Sequence, residues 1–163
     1  MPTHHESRVL RYTPEQLFDL VADVGRYPEF LPWVMAARVT AKSTDTLTAD
    51  MVIGFKLLRE KFTSRVRLDR PGAIHVDYVD GPLKYLRNEW HFSPAEGGGT
   101  RIDFLVEFEF RSRVFETIAG AVFNEAFRTM VGAFEKRAAK LYSGTQSSLS
   151  PTGISSSSAQ ITA

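Results

Sequence analysis

Few side chains in this sequence are set up for chemistry, and their spacing limits what that chemistry could be. The histidines fall as an adjacent pair, His4 and His5, and as His75 and His91 on separate strand-like runs that turn them outward. No set of metal ligands follows from that spacing. Glu107 and Glu109 also alternate outward, which leaves no paired carboxylates for acid–base work. There is no Gly-x-Ser-x-Gly, no phosphate loop and no dinucleotide fingerprint, and Gly97 to Gly99 reads as a hairpin turn. No enzyme activity is expected. What remains is noncovalent. Lys84 follows Gly81-Pro82 and could meet a carbonyl, an anionic head group or a phosphate, or simply be solvated. Asn88 shares a strand face with Leu86 and Trp90. Buried there it must be hydrogen-bonded, to a ligand oxygen or to the backbone. Lys61, Arg65 and Arg67 share another strand face, either as solvated charge or as a contact surface for RNA phosphates.

The apolar residues are more telling. Six runs alternate with period two: Val34 to Lys42, Leu47 to Phe55, Phe62 to Leu68, Ile74 to Tyr78, Leu86 to Phe92 and Ile102 to Phe110. One buried and one wet face is the mark of antiparallel sheet. Ser43-Thr44-Asp45, Pro71-Gly72, Asp80-Gly81-Pro82 and Glu96 to Gly99 supply the turns. Ahead of them, His4 to Tyr12 reads as a further short strand. Thr13-Pro14-Glu15-Gln16 then starts a helix with a capping box and proline at its first position. Arg26 to Trp33 carries two prolines, so it is short and irregular, with Phe30 and Trp33 placed either as a lid or as a plug at the end of the core.

From Ser112 to Tyr142 the apolar period changes to three and four, with Phe115, Ala119, Val122, Phe123, Phe127, Val131 and Phe134 on one broad stripe. Ser112 is the expected N-cap. A helix of that length is a rod of roughly 45 Å, and it needs a wide cover. The expected fold is therefore α+β, a curved six- to seven-stranded antiparallel sheet wrapped around a long C-terminal helix. Phe55, Phe62, Tyr78, Trp90, Phe104, Phe108 and Phe110 from the sheet would face Phe115, Phe123 and Phe127 from the helix. These side chains either interlock into a solid core or line an apolar cavity.

The chain is long enough for one domain, expected over residues 1–142. Residues 143–163 are rich in serine, carry no charge, and are expected to form a disordered tail. The formal net charge is +1, so no bulk attraction to nucleic acid is present and no DNA partner is expected. Without cysteine there are no disulfides and no cysteine-ligated zinc or iron–sulfur cluster. No apolar run reaches the length of a membrane span, and no signal-peptide core precedes the first strand. The expectation is a soluble, cytoplasmic protein of bacterial type, or a mature form already trimmed.

Several stretches together resemble a known family. Tyr27-Pro28-Glu29-Phe30-Leu31-Pro32-Trp33, Gly81-Pro82-Leu83-Lys84-Tyr85-Leu86 running into Trp90-His91-Phe92, Phe108-Glu109-Phe110-Arg111-Ser112, and Met130-Val131-Gly132-Ala133-Phe134-Glu135 look like the coenzyme Q-binding family of START-like, polyketide-cyclase-type proteins. Members often have cysteine after the Pro-Trp, where Val34 stands here. The resemblance implies a helix-grip fold with no cofactor but with ubiquinone or a related polyprenyl lipid bound in a cavity. It implies a carrier role in respiratory electron transport and quinone biosynthesis, with peripheral contact at the inner face of the bacterial inner membrane. The ligand-binding residues it points to are Phe30, Trp33, Phe55, Phe62, Lys84, Leu86, Asn88, Trp90, Phe108, Ala119, Val122 and Phe123. The resemblance extends to bacterial ribosome-association toxins, which implies the rival role of binding the large ribosomal subunit and blocking subunit joining.

Overall fold

The computed structural model describes residues 3–55 and 58–142. The elements follow as β1 (Thr3–Leu10), α1 (Pro14–Ala22), a 3-10 helix (Val24–Glu29), β2 (Val34–Lys42), β3 (Thr46–Phe55), β4 (Leu58–Asp69), β5 (Ala73–Asp80), β6 (Leu83–Pro94), β7 (Thr100–Phe110) and α2 (Arg113–Tyr142). The sheet is seven-stranded with order β1-β7-β6-β5-β4-β3-β2, and every pairing is antiparallel. Six strands in a row form a meander. The first strand then adds beside the last, so β1 and β2 are the two edges.

Local chemistry sets the ends of the elements. The Thr13 hydroxyl accepts from Gln16 N at 3.0 Å while Gln16 Oε1 accepts from Thr13 N at 3.0 Å, which is the reciprocal capping box. Ser112 Oγ accepts from Phe115 N at 3.1 Å and caps α2. Gly97, Gly98 and Gly99 all take positive φ in the β6–β7 hairpin. At Gly99 a Cβ would stand 2.4 Å from the Leu10 carbonyl oxygen, so only glycine lets the hairpin approach the end of β1. Asp19 and Arg70 form a bidentate pair at 2.8 and 3.0 Å, tying α1 to the β4–β5 turn.

The chain divides into two compact units, Met1–Ala133 and the part from Phe134 onward. In the first unit lie the whole sheet, α1 and α2 up to Ala133. The second holds the last turns of α2, in which Phe134 and Ala138 are buried. α2 ends at Tyr142, the last described residue. The tail expected over 143–163 lies outside the described residues.

Candidate functional site

The concave face of the sheet is built by alternation. Register places Phe62 opposite Met51, Val76 opposite Asn88, Ile74 opposite Trp90, Leu86 opposite Phe108 and Trp90 opposite Phe104. Directly opposed residues share a face, so these side chains point to one side. Ile102, Phe104, Val106 and Phe108 form a fully buried row along β7.

Two aromatic groups fill parts of this face. The first gathers around Phe123 of α2, whose ring lies 5.7 Å from Phe62, 6.4 Å from Phe108, 5.4 Å from Phe110, 6.2 Å from Phe115 and 6.2 Å from Phe127. Edge-on and tilted pairs such as these contribute about 0.5–1.5 kcal/mol each beyond the area they bury. The second centres on Trp90, 3% exposed, with Phe104 at 4.7 Å and Phe92 stacked at 6.3 Å.

Between these groups, several inward side chains are not buried. Met51, Ile53, Ser64, Val76, Leu86 and Asn88 on the sheet, and Phe115, Val122 and Phe127 on α2, are only half-buried. A solid core would bury them, as it buries Val66 beside Val76 and Phe108 beside Leu86. The concave side thus combines packed aromatic walls with apolar surface that solvent or a ligand can reach.

Of the residues singled out from sequence, Phe62, Phe108 and Phe123 meet directly, Ala119 is buried one helical turn before Phe123, and Val122 flanks it. Asn88 and Trp90 join through the side-chain bond in which indole Nε1 donates to Asn88 Oδ1 at 3.1 Å. The Asn88 amide also donates to the Leu105 carbonyl at 2.9 Å. Asn88 therefore orients Trp90 and takes a backbone partner, as the second of its two sequence readings has it. Asn88→Ala should cost about 1–3 kcal/mol, because the buried indole N–H loses its acceptor. Asn88→Asp, which keeps an acceptor, should fall between. Denaturant unfolding with tryptophan emission as the probe measures both.

Others lie apart from this cluster. Lys84 is exposed on the outer side and reaches Glu109 at 3.5 Å. Phe30 and Trp33 are half-buried where the 3-10 helix leads into β2, with Phe30 edge-on to Tyr27 at 6.0 Å. It is Leu31 between them, 1% exposed, that seals the core. Tyr27 donates to the Val21 carbonyl, and burial, with Asp23 adding to it, pushes its phenol well above the usual range. Phe55 ends β3 opposite Leu58, but its side chain lies outside the described residues. Of the basic trio, Lys61 pairs with Asp50 at 3.7 Å and Arg67 with Asp77 at 3.0 Å, leaving Arg65 exposed. Asp50 is held below the ordinary carboxylate range by its bond from Thr63, and Lys61 adds to the effect.

Over residues 10–135 the sequence matches the model of the polyketide cyclase / dehydrase and lipid transport family. The chain belongs to that family. A Rickettsia prowazekii protein named ribosome association toxin RatA is 37% identical over 142 residues, which is 85% of this chain and 97% of that one. A Xenopus laevis protein named coenzyme Q-binding protein COQ10 homolog B, mitochondrial, is 34% identical over 143 residues, 85% of this chain and 59% of that one. Among solved structures, the 18 kDa protein CC1736 of Caulobacter crescentus is 40% identical with a TM-score of 0.69, covering 88% of this chain and 99% of its own. A START superfamily protein of Mycobacterium smegmatis has a TM-score of 0.72 at 14% identity, covering 85% and 98%, and shares the fold. The fold is the helix-grip, START-like arrangement that the motifs imply.

One feature of this polyketide cyclase and lipid transport domain escaped the sequence reading. β1 alternates in phase with buried Leu10, so Arg8, Glu6 and His4 face the concave side opposite Ile102, Phe104 and Val106. Arg8 reaches Glu6 at 2.6 Å, and His4 lies 3.9 Å from Glu6 and edge-on to Phe104 at 6.0 Å. The concave face therefore carries titratable groups along its β1 edge. Counting back in twos from Leu10 would have found them. Because Arg8 claims the Glu6 carboxylate, the trio is an ion pair with a neighbouring imidazole rather than a free base. The outer face carries a comparable set: Glu89 bonds Arg87 at 2.8 Å and His91 at 3.3 Å, and the His75 and His91 rings stand 5.7 Å apart. Burial would raise the Glu89 carboxyl, yet its bonds from His91 and Arg87 outweigh that and hold it low.

Proposed function

We propose that this protein is a non-enzymatic carrier that shelters ubiquinone, or a related polyprenyl lipid, between sheet and helix and so supports respiratory electron transport and quinone biosynthesis. The observation that carries this reading is the set of half-buried apolar side chains on the concave face, Val76, Leu86, Val122 and Phe115 among them. They offer an isoprenoid chain a surface that water covers poorly, and each methylene sheltered contributes about 0.8 kcal/mol. Family membership and the coenzyme Q-binding name of the Xenopus laevis relative point the same way. A long polyprenyl tail exceeds such a space, so part of it protrudes and the protein works against a membrane surface. No described helix is long and apolar enough to cross a membrane.

A second reading has its own support. The Rickettsia prowazekii relative, matched over nearly its whole length, is named for ribosome association. Exposed Arg65 has no carboxylate partner among the described residues and could meet RNA phosphate. The two readings separate in one experiment. The protein is purified from its native host, extracted with organic solvent and analysed by mass spectrometry, and in parallel sedimented with large ribosomal subunits across a salt series. Near-stoichiometric quinone supports the carrier. A lipid-free protein that co-sediments in a salt-sensitive way supports the ribosome reading, and a protein that does neither overturns both.

A further inference from the structure

Among the described residues of the unit Met1–Ala133, Val9 (59%) and Val39 (37%) are exposed singly, but four other large apolar side chains are grouped. Val114 (71%), Ile118 (62%), Val79 (48%) and Met35 (46%) all lie toward one end of the sheet. Register fixes that placement. Val34 pairs with Ile53 at the start of β2, Thr63 with Asp80 at the end of β5, and Leu83 with Phe110 where β7 gives way to α2. The Phe115 ring, 5.7 Å from Phe110, holds the first turns of α2 at this end. Val114 and Ile118 are four residues apart on one helix face. Singly exposed apolar residues are ordinary, but a group of them on one rim is not.

Basic residues are interleaved with this rim. Arg59, Lys84, Arg111 and Arg113 are exposed there. Arg111 donates to the Gly81 carbonyl at 2.9 Å, and Lys84 occupies Glu109. Arg113 is the first residue of α2, where the helix dipole disfavours a cation, and it has no carboxylate partner among the described residues. Asp80, Glu60 and Glu116 lie in the same region, so the rim is not a uniform positive field. The combination nearest α2 is nevertheless apolar side chains beside arginines, which matches the boundary between anionic head groups and acyl chains. Half-buried Phe115, packed on Phe110, stands at this same end.

We infer that this rim, with Val114 and Ile118 at its centre and Arg113 beside them, docks on an anionic lipid bilayer and sets the reachable part of the concave face against the acyl layer. The inference rests on the carrier reading, since docking at this end gives a sheltered lipid a dry route in and out. It fits an anionic surface rather than a neutral one because Arg113 gains a counter-charge that its own helix does not supply.

The test is co-sedimentation of the full chain with vesicles of phosphatidylcholine alone or mixed with phosphatidylglycerol, at low and high salt. Binding is expected only with phosphatidylglycerol, weakened by salt. The Val114→Asp/Ile118→Asp variant should lose roughly tenfold or more in affinity, and Arg113→Gln roughly fivefold. Thermal midpoint should be unchanged in both, since these side chains are solvent-facing. Wild type that ignores both vesicle types, or a double variant that binds like wild type, overturns the inference. It is also overturned if wild type ignores vesicles and the double variant loses co-sedimentation with large ribosomal subunits, which would assign the rim to the ribosome. Vesicle binding through the rim by a protein that carries no lipid would leave the docking surface standing and remove the carrier reading.

Discussion

Phe123→Ala should destabilise the domain by about 3–5 kcal/mol, the range for removing a buried phenylalanine. The ring is 4% exposed and contacts five others, Phe62, Phe108, Phe110, Phe115 and Phe127. Those partners come from β4, β7 and α2. They are held by backbone in different elements and cannot all move into the space left behind. A domain of this kind has about 5–15 kcal/mol in total, so the loss is a large fraction of it. The measurement is a urea titration, in which the midpoint should fall with the slope unchanged. Val114→Ala, at an exposed site on the same helix, should change stability by less than about 0.5 kcal/mol. If Phe123→Ala cost as little as that, the first half of α2 would not be pinned by this ring cluster.

Val76→Phe should leave stability nearly unchanged and reduce the lipid that co-purifies by roughly tenfold, or about 1.4 kcal/mol of binding. Val76 sits on the concave face between Val66, which is buried, and Asn88, yet is itself only half-buried. A phenyl ring there would occupy the space a ligand needs. The same substitution in a close-packed core would force neighbours off their rotamers at about 1–3 kcal/mol. The two outcomes are opposite in pattern: lost lipid with intact stability, or lost stability whatever the lipid. The second result would mean that the accessible area around Val76 is a packing irregularity and not a site. Paired urea titration and lipid extraction on one preparation decide between them.

Most of the sheet was legible because one face is wet. In β7, Ile102, Phe104, Val106 and Phe108 alternate with Asp103, Glu107 and Glu109, and no other register would keep those charges in water. The caps at Thr13 and Ser112 were legible because they depend only on neighbours in sequence. β1 was legible as a strand but not in its phase, because polar His4, Glu6 and Arg8 occupy the side on which apolar residues are expected. That a buried Asn88 needs a partner was legible, but not that the partner is Leu105 O, which depends on how β6 and β7 are aligned. Glycines were the least informative. A Cβ at Gly120 would find only Glu116 Cγ at 3.9 Å, and one at Gly132 only Arg8 Nη1 at 3.7 Å. Neither distance demands glycine. Whether the concave side is filled or open was not legible at all, since the same phenylalanines serve either arrangement.

The place of β1 has a consequence for how the chain is made. Its partner is β7, with Leu10 opposite Thr100 and Thr3 opposite Glu107. At synthesis rates of about 5–20 residues per second, the first strand waits roughly 5–20 seconds for its neighbour to be made. Throughout that interval it is an extended segment whose backbone donors and acceptors have no native partner. An apolar strand in that position would add itself to any exposed sheet edge, including that of another nascent chain. His4, Glu6 and Arg8 make such a pairing unfavourable, because a foreign sheet would have to bury this polar face without the Phe104 ring that β7 sets against His4. The inward polar face of β1 thus disfavours foreign edge pairing until Thr100–Phe110 is made.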